Sequence, residues 1–176
     1  MNTNPIHPYG WRPQLPDHRD FKLSLPAISM PDHVDLSPTF PFVFDQKTLG
    51  SCTANAISLV VARLQNIQNP HWPFTPSRLF IYWNERDLEG TADQDSGAVI
   101  RDGLKVLAKL GVCTEARWPY SELSFRNKPT EDAYADALLH RAARYARADE
   151  ARQAHEPADE ANRTGHRGEM TKSPPA

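Results

Sequence analysis

The stretch DQKTLGSCTANAISLVVARLQNIQ, residues 45–68, decides the fold. A Gly-Ser turn leads into Cys52, and apolar residues then recur at helical spacing over several turns. Pro70 ends this run, because proline cannot continue a helix. We therefore predict a helix that begins at Cys52 and lies inside a domain. Its apolar positions are Ile57, Val60, Val61, Leu64 and Ile67.

Cys52 lies in the first turn of this predicted helix. Unpaired backbone N–H groups and the positive end of the helix dipole favour a thiolate there, and the thiolate is the nucleophilic form of cysteine. Gln46, six residues upstream, has a side-chain amide that can fold back beside the Cys52 N–H. Two converging donors are what an oxyanion hole requires. Taken without its context, a lone cysteine in a helix is more often a small buried hydrophobe.

The arrangement Gln46-x-x-x-Gly50-Ser51-Cys52 resembles the active-site segment of papain-like cysteine peptidases. In that family a glutamine and the cysteine stand six apart, and the cysteine opens the central helix. PDHVDL at 31–36 resembles the first strand of the mature papain domain, and GV at 111–112 with WPY at 118–120 resembles a later turn. CTANA at 52–56 and DSGA at 95–98 resemble the compact bacterial and archaeal branch of the family.

This resemblance covers residues 31–147 and implies an α+β fold. The matched part is the left-hand helical subdomain around the cysteine-bearing helix, which in the family precedes a β-rich right-hand subdomain. The implied reaction is proteolysis, with Cys52 as nucleophile and with Gln46 and the Cys52 N–H as oxyanion donors. The residues implied in substrate binding are Gly50, Ser51, Ser96 and Gly97.

The Ser96-Gly97 pair supports two interpretations. The resemblance implies that the Gly97 backbone hydrogen-bonds the substrate chain, since a missing side chain permits close approach. The residues themselves indicate that Asp95 or Ser96 caps the helix that follows. Both interpretations can hold together.

The family also requires an imidazole that pairs with the sulfur, and an Asn or Asp that orients it. These partners lie roughly 130–150 residues after the cysteine in papain-like enzymes. Counted from Cys52, this range of positions begins beyond Ala176. We predict solvated side chains for three late histidines in polar surroundings, His140, His155 and His166. We therefore expect a chain with weak or no activity that stops before the right-hand subdomain, either through a frame change or truncation near Ala148 or as a short protein that has lost catalysis.

Three further helices are predicted. The second has Thr75 as N-cap and Pro76 at its first position, the third stops at Gly111, and the fourth begins near Thr130. The apolar positions of the second helix are Leu79, Phe80, Trp83 and Leu88. Those of the third are Ile100, Leu104, Leu107 and Leu110, and those of the fourth are Tyr134, Leu138, Ala142 and Tyr145.

Outside these helices the chain is polar or rich in proline. Residues 1–30 are predicted to form an extended arm whose Trp11 and Phe21 pack on the domain, with a disordered leader as the alternative. Pro38 and Pro41 limit residues 34–45 to a short edge strand. Residues 148–176 are predicted to be a disordered tail, and 31–147 the domain.

Composition narrows the partners and the compartment. A net charge of -2 draws the chain neither to nucleic acid nor to an anionic membrane, so a peptide or protein substrate is expected. No pattern indicates a metal or organic cofactor. Two cysteines exclude a disulfide framework, and Cys113 is predicted to be core. Since no signal peptide or membrane span is visible either, we predict a cytoplasmic location.

A second function class follows from the missing half. Without it, the central helix exposes an apolar wall, and large apolar patches promote association. The alternative to a peptidase is therefore a catalytically silent fragment that binds peptides or proteins through an unfilled cleft, or that associates with itself.

Overall fold

The computed structural model describes residues 9–23, 31–71 and 73–146. The described residues form two compact units, of which the first comprises 9–20, 33–71 and 73–145, and the second 21–23, 31–32 and 146. All named helices of the described residues lie in the first unit. In the described part of the chain no helix is long and apolar enough to cross a membrane. The tail predicted over 148–176 lies outside the described residues.

The first helix, α1, spans Cys52–Gln68 and begins at the predicted residue. Three of its apolar positions face outward, however: Val60 is 49% exposed, Leu64 47% and Ile67 61%. The prediction of an interior position was wrong for these three. Small and polar side chains on the opposite face let the neighbouring helices approach closely, so that face is buried instead. The buried residues of α1 are Thr53, Ala54, Asn55, Ile57, Ser58 and Ala62.

The second helix, α2, spans Arg78–Leu88 and is the most deeply buried. Every residue from Leu79 to Arg86 is buried, and a fully buried aliphatic or aromatic side chain contributes about 1.5–3 kcal/mol. The predicted cap was wrong by two residues, because Pro76 lies in an isolated antiparallel bridge with Thr114. Ser77 caps α2 in place of Thr75, and its Oγ accepts the Phe80 N–H at 3.1 Å.

The third helix, α3, spans Ile100–Lys109, and Gly111 follows it with a φ of +81° as the predicted stop. The fourth, α4, spans Glu131–Ala137, and the predicted Thr130 is its N-cap. This helix ends well before Tyr145, although the apolar pattern predicted that it continues. The chain turns back there against α3, since a Cβ on Gly111 would lie 1.9 Å from the Ala137 carbonyl oxygen.

Residues 34–45 form no strand. A short 3₁₀ helix, Ser37–Thr39, occupies this segment, and the Asp35 carboxylate starts it by accepting the Ser37 N–H at 2.8 Å. The predicted edge strand and the papain-like strand at 31–36 were therefore wrong in the described residues. A strand needs a neighbouring strand, and residues 34–45 take part in no β bridge in the described structure.

A buried carboxyl group lies where α1, α2 and α3 meet. Glu85 is fully buried, and its Oε2 accepts the Thr53 hydroxyl at 2.9 Å. Its Oε1 faces α3, where a Cβ on Gly103 would lie 2.2 Å away. Burial raises the pKa of Glu85 to about 8, because desolvation disfavours the carboxylate more than the Thr53 hydrogen bond favours it. Glu85 is therefore protonated in the folded protein at neutral pH.

This raised pKa makes stability depend on pH. In the unfolded chain the carboxyl group ionises near its ordinary pKa of 4.5. The contribution of Glu85 to the free energy of unfolding is therefore highest below pH 4.5 and falls as the pH rises to about 8. A Glu85→Gln variant, which cannot ionise, is expected to lose most of this fall, worth a few kcal/mol. Urea unfolding at pH 5 and pH 8 measures the effect. Glu131→Gln, at an exposed position of α4, should retain the wild-type pH dependence.

Candidate active site

Cys52 is a half-buried free thiol at the first position of α1. Ser51 is the N-cap residue, and its carbonyl accepts the first helical hydrogen bond from the Asn55 N–H at 3.0 Å. Among the described residues, the Ser51 side chain does not cap the first turn. The thiol therefore lies at the positive end of the helix dipole.

The turn before α1 carries Gln46. The backbone of this turn is unusual, because Lys47, the residue after Gln46, has a φ of +52° in the left-handed region. The half-buried Gln46 side chain folds back, and its Nε2 donates to the Leu49 carbonyl at 3.0 Å. An amide nitrogen carries two hydrogens, so the second remains for a ligand. The convergence of this amide with the Cys52 N–H stays a prediction.

Asp95, on the loop before α3, holds the turn before α1. Its carboxylate accepts the Gly50 N–H at 3.0 and 3.1 Å and also the Tyr82 hydroxyl. Burial, reinforced by the Asp95 hydrogen bond, raises the pKa of Tyr82, which keeps the phenol protonated as a donor. The sequence predicted Asp95 as a possible cap and as the first residue of the DSGA element at 95–98. Nothing local to Asp95 indicates a partner 45 residues away.

The Ser96-Gly97 pair does not cap α3. The N-cap residue is Val99, without a side-chain cap in the described part of the chain, so the prediction of a cap from Asp95 or Ser96 was wrong. The Ser96 Oγ instead lies 2.8 Å from the Thr91 Oγ1. Gly97 has a φ of +68°, and its N–H points inward to the Tyr82 hydroxyl at 3.2 Å. A substrate contact of Gly97 stays a prediction.

The backbone of Ala98, the last residue of the DSGA element, pairs with the N-terminal arm. The Ala98 N–H donates to the Gly10 carbonyl at 2.8 Å, and the Arg12 N–H donates to the Ala98 carbonyl at 3.1 Å. These bonds make a parallel bridge centred on Trp11. Gly10 is packed so closely that a Cβ there would lie 1.7 Å from the Gly50 carbonyl oxygen. The arm thus runs along both the turn before Cys52 and the Gly97-Ala98 backbone.

Side chains anchor the same arm to the start of α3. Arg12 forms an ion pair with Glu89, which also accepts the Val99 N–H at 2.9 Å. Farther along, the Arg101 guanidinium donates to the Asp20 carboxylate at 2.6 Å and to the Leu15 carbonyl at 2.9 Å. The arm is therefore held at two places by charged groups.

The remaining candidate residues lie elsewhere. The His140 ring packs on Phe74 with centroids 4.3 Å apart, so the prediction of a solvated side chain was wrong. His155 and His166 lie outside the described residues. Cys113 is fully buried, as predicted, and desolvation raises its pKa to about 12. Within the described residues, no group of three or more His, Cys, Asp and Glu side chains could hold a metal ion.

No family model matches the chain, but comparison with known proteins finds similar peptidases. The chain is 52% identical over 105 residues to an uncharacterised peptidase C1-like protein of Acanthamoeba polyphaga mimivirus, covering 60% of this chain and 34% of that protein. Its structure matches the crystal structure of xylellain, a cysteine protease from Xylella fastidiosa, with a TM-score of 0.75 and 40% identity. These matches support a papain-like cysteine peptidase family for the chain.

Within the papain-like family this chain is partial. The structural match covers 81% of the chain but 59% of xylellain, so the chain spans less than two thirds of either relative. The helices described above correspond to the N-terminal helical subdomain of the papain-like fold, as the sequence predicted.

The close packing of Gly10 makes the arm testable. A Gly10→Ala substitution places a methyl group against the Gly50 carbonyl and should force the arm away from Ala98. We expect hydrogen exchange of the Ala98 N–H to accelerate by about 10-fold or more, since it loses its acceptor. Leu15→Ala, at an 83% exposed position of the same arm, is the control and should leave this exchange unchanged. Equal protection in Gly10→Ala would contradict the arm geometry.

Proposed function

We propose that the site around Cys52 is that of a peptidase that cleaves peptide bonds by thiolate attack on the carbonyl carbon. The observation that carries this proposal is the position of Cys52, a half-buried free thiol at the start of α1, directly after the turn that bears Gln46. Peptides or proteins are the corresponding substrates, in keeping with the family and with xylellain, a cysteine protease.

The reaction assigns a role to each candidate residue. The thiolate adds to the carbonyl carbon, and the oxygen that becomes negative accepts the Cys52 N–H and the second Gln46 N–H. The C–N bond then breaks, the amine leaves with a proton from a general acid, and water hydrolyses the remaining thioester. Gly50 and Ser51 shape the turn that carries the donors. Ser96 and Gly97, with the Ala98 backbone, line the path of the substrate chain.

We propose that this chain by itself is weakly active or inactive. The described contacts of His140 and His18 involve Phe74, Val112 and Asp17 rather than Cys52. Without an imidazole the sulfur has no general base and the leaving amine has no general acid. Removing one oxyanion donor typically costs about 10²–10³ in rate, and removing the base of a catalytic triad costs more.

The arm affects access to this site. It occupies the N–H and C=O groups of Ala98, so a peptide that pairs with the same groups must displace it. We therefore expect the Gly10→Ala variant to be labelled faster than wild type by a thiol-directed peptide inhibitor. Iodoacetamide, which needs no backbone pairing, should label both proteins at similar rates.

Labelling by a thiol-directed peptide inhibitor tests the nucleophile. Wild-type protein is treated with the inhibitor, and the modified peptides are quantified by mass spectrometry. Cys52 is expected to be modified, because the thiolate is the nucleophilic form of cysteine and the half-buried thiol is accessible. Cys113 is a control within the same molecule, because its buried thiol should not react in the folded protein. A Cys52 that the inhibitor does not label would refute the peptidase proposal.

The second candidate, a silent binding module, has its own support. Four outward residues of α1 continue the line that begins at Cys52 at helical spacing, and together they form an apolar stripe. Exposed apolar surface of this kind promotes association. These residues are Ala56, Val60, Leu64 and Ile67.

Sedimentation tests self-association through this stripe. Wild type is expected to form dimers or larger species as its concentration rises, whereas Leu64→Gln should weaken the association about 10-fold or more by removing apolar contact. Leu123→Gln changes an isolated, 95% exposed leucine and should behave as wild type. A wild-type monomer at all concentrations would count against this role.

The cytoplasmic location and the lack of a nucleic-acid partner remain part of the proposal.

A further inference from the structure

Tyr120 lies between the two ends of the turn that precedes Cys52. Its hydroxyl donates to the Gln46 carbonyl at 2.7 Å and lies 2.7 Å from the Ser51 Oγ. Gln46 and Ser51 are the first and last residues of this turn, and Cys52 follows directly. One phenol hydroxyl thus connects the residue that carries the oxyanion amide with the residue beside the nucleophile.

The number of hydrogens on each group decides which atom donates in each of these hydrogen bonds. A phenol has one hydrogen, and the Gln46 carbonyl can only accept, so the Tyr120 hydrogen goes to Gln46. The Ser51 hydroxyl must therefore donate to the Tyr120 oxygen. The Ser51 Oγ in turn accepts from the Asn55 Nδ2 at 2.9 Å. The order Asn55 to Ser51 to Tyr120 to Gln46 uses each hydroxyl once as donor and once as acceptor.

Charged groups hold two members of this chain of hydrogen bonds, Asn55 and Tyr120. Arg78 donates to the Asn55 Oδ1 at 3.4 Å, and its guanidinium lies over the Tyr120 ring, 4.0 Å from the centroid. Glu115 pairs with Arg78 at 2.9 Å and accepts the Tyr120 N–H at 3.0 Å. Ring and hydroxyl are thereby held from two sides, and burial raises the pKa of Tyr120, which keeps the hydroxyl hydrogen in place. Hydrogen bonds in such a chain strengthen one another.

We propose that Tyr120 is a positioning residue for the oxyanion site: its hydroxyl sets the separation between the Gln46 amide and Cys52. This inference rests on the proposed peptidase function. Tyr120 does not touch the substrate in this role, and acts through the turn. Loss of the hydroxyl removes the acceptor of the Ser51 hydrogen and the donor to the Gln46 carbonyl, so the turn is free to change shape.

The test compares two reactions of the same thiol. Alkylation by iodoacetamide needs the thiolate but no oxyanion donor, whereas a peptide aldehyde adds to the thiolate and forms a negative oxygen that requires the donors. Tyr120→Phe is expected to weaken aldehyde binding about 10-fold while it changes the alkylation rate less than about 2-fold. Gln46→Ala should weaken aldehyde binding at least as much. The double variant should bind no more weakly than Gln46→Ala alone, because both changes remove the same interaction.

Tyr134→Phe is the matched control, since it removes another partly buried phenol, which donates to Asn84 Oδ1 at 3.0 Å. It should leave aldehyde binding unchanged at a comparable loss of thermal stability. Additive losses in the double variant, or equal losses from Tyr120→Phe and Tyr134→Phe, would overturn the positioning role.

Failure of the peptidase proposal gives a different result, namely a wild-type Cys52 that binds no aldehyde. In that case the NMR signals of the Gln46 side-chain amide decide the positioning role. Tyr120→Phe should move these signals toward those of a solvent-exposed amide, whereas Tyr134→Phe should not. Unchanged Gln46 signals in Tyr120→Phe would refute the role of Tyr120.

Discussion

The buried guanidinium of Arg86 holds together the parts of the structure that surround Cys52. It donates to the backbone carbonyls of Tyr82, Ala92, Gln94 and Phe125, at distances of 2.5 to 3.1 Å. A buried charge is costly unless such partners surround it, and here they belong to α2, to the loop before α3 and to the segment before α4. The loop held in this way presents Asp95 to Gly50. The position of the cysteine thus depends on an arginine in another helix.

The helix that carries Cys52 is not the centre of the hydrophobic core. It turns small residues such as Ala54 and Ala62 toward α2 and α3 and leaves Val60 and Leu64 outside. This division suits a helix that packs against other elements on two of its faces. The described residues cover one face of α1, and the apolar stripe lies on the face that they leave open. The thiol lies at the end of that stripe, so whatever covers the stripe also borders the reactive group.

Three glycines bring the arm, the turn before Cys52 and the loop before α3 within backbone contact. Gly10 lies between the Gly50 and Gly97 backbones. A Cβ on Gly10 would clash with the Gly50 carbonyl oxygen, and a Cβ on Gly97 would clash with the Gly10 carbonyl oxygen. Close approach of this kind is the reason for glycine at positions far apart in the chain. The arrangement places a segment of the chain itself along the backbone that a peptide substrate would use. Binding by the arm and binding by a peptide are therefore alternatives in the proposed function.

Much of the fold could be predicted because its signals are local. Cys52 opens α1, Thr130 caps α4 and Gly111 ends α3, and each depends on residues within one turn. The second helix was misplaced by two residues because a bridge to Thr114 held Pro76 in extended backbone. The outward face of α1 was also misjudged, since periodicity reports an apolar side but not which side the neighbours cover.

The candidate site also has a part that the sequence predicts and a part that it does not. By itself, the sequence determined the start of the cysteine-bearing helix and the spacing of Gln46 from Cys52, because these lie in one continuous stretch, and short motifs of this kind carried the papain-like resemblance. Only the tertiary structure decided that Asp95 holds Gly50, that Tyr120 joins Gln46 to Ser51 and that the arm pairs with Ala98. Their partners are 45 to 88 residues apart in the chain, and hydrogen bonds over such separations leave no periodic or local signal.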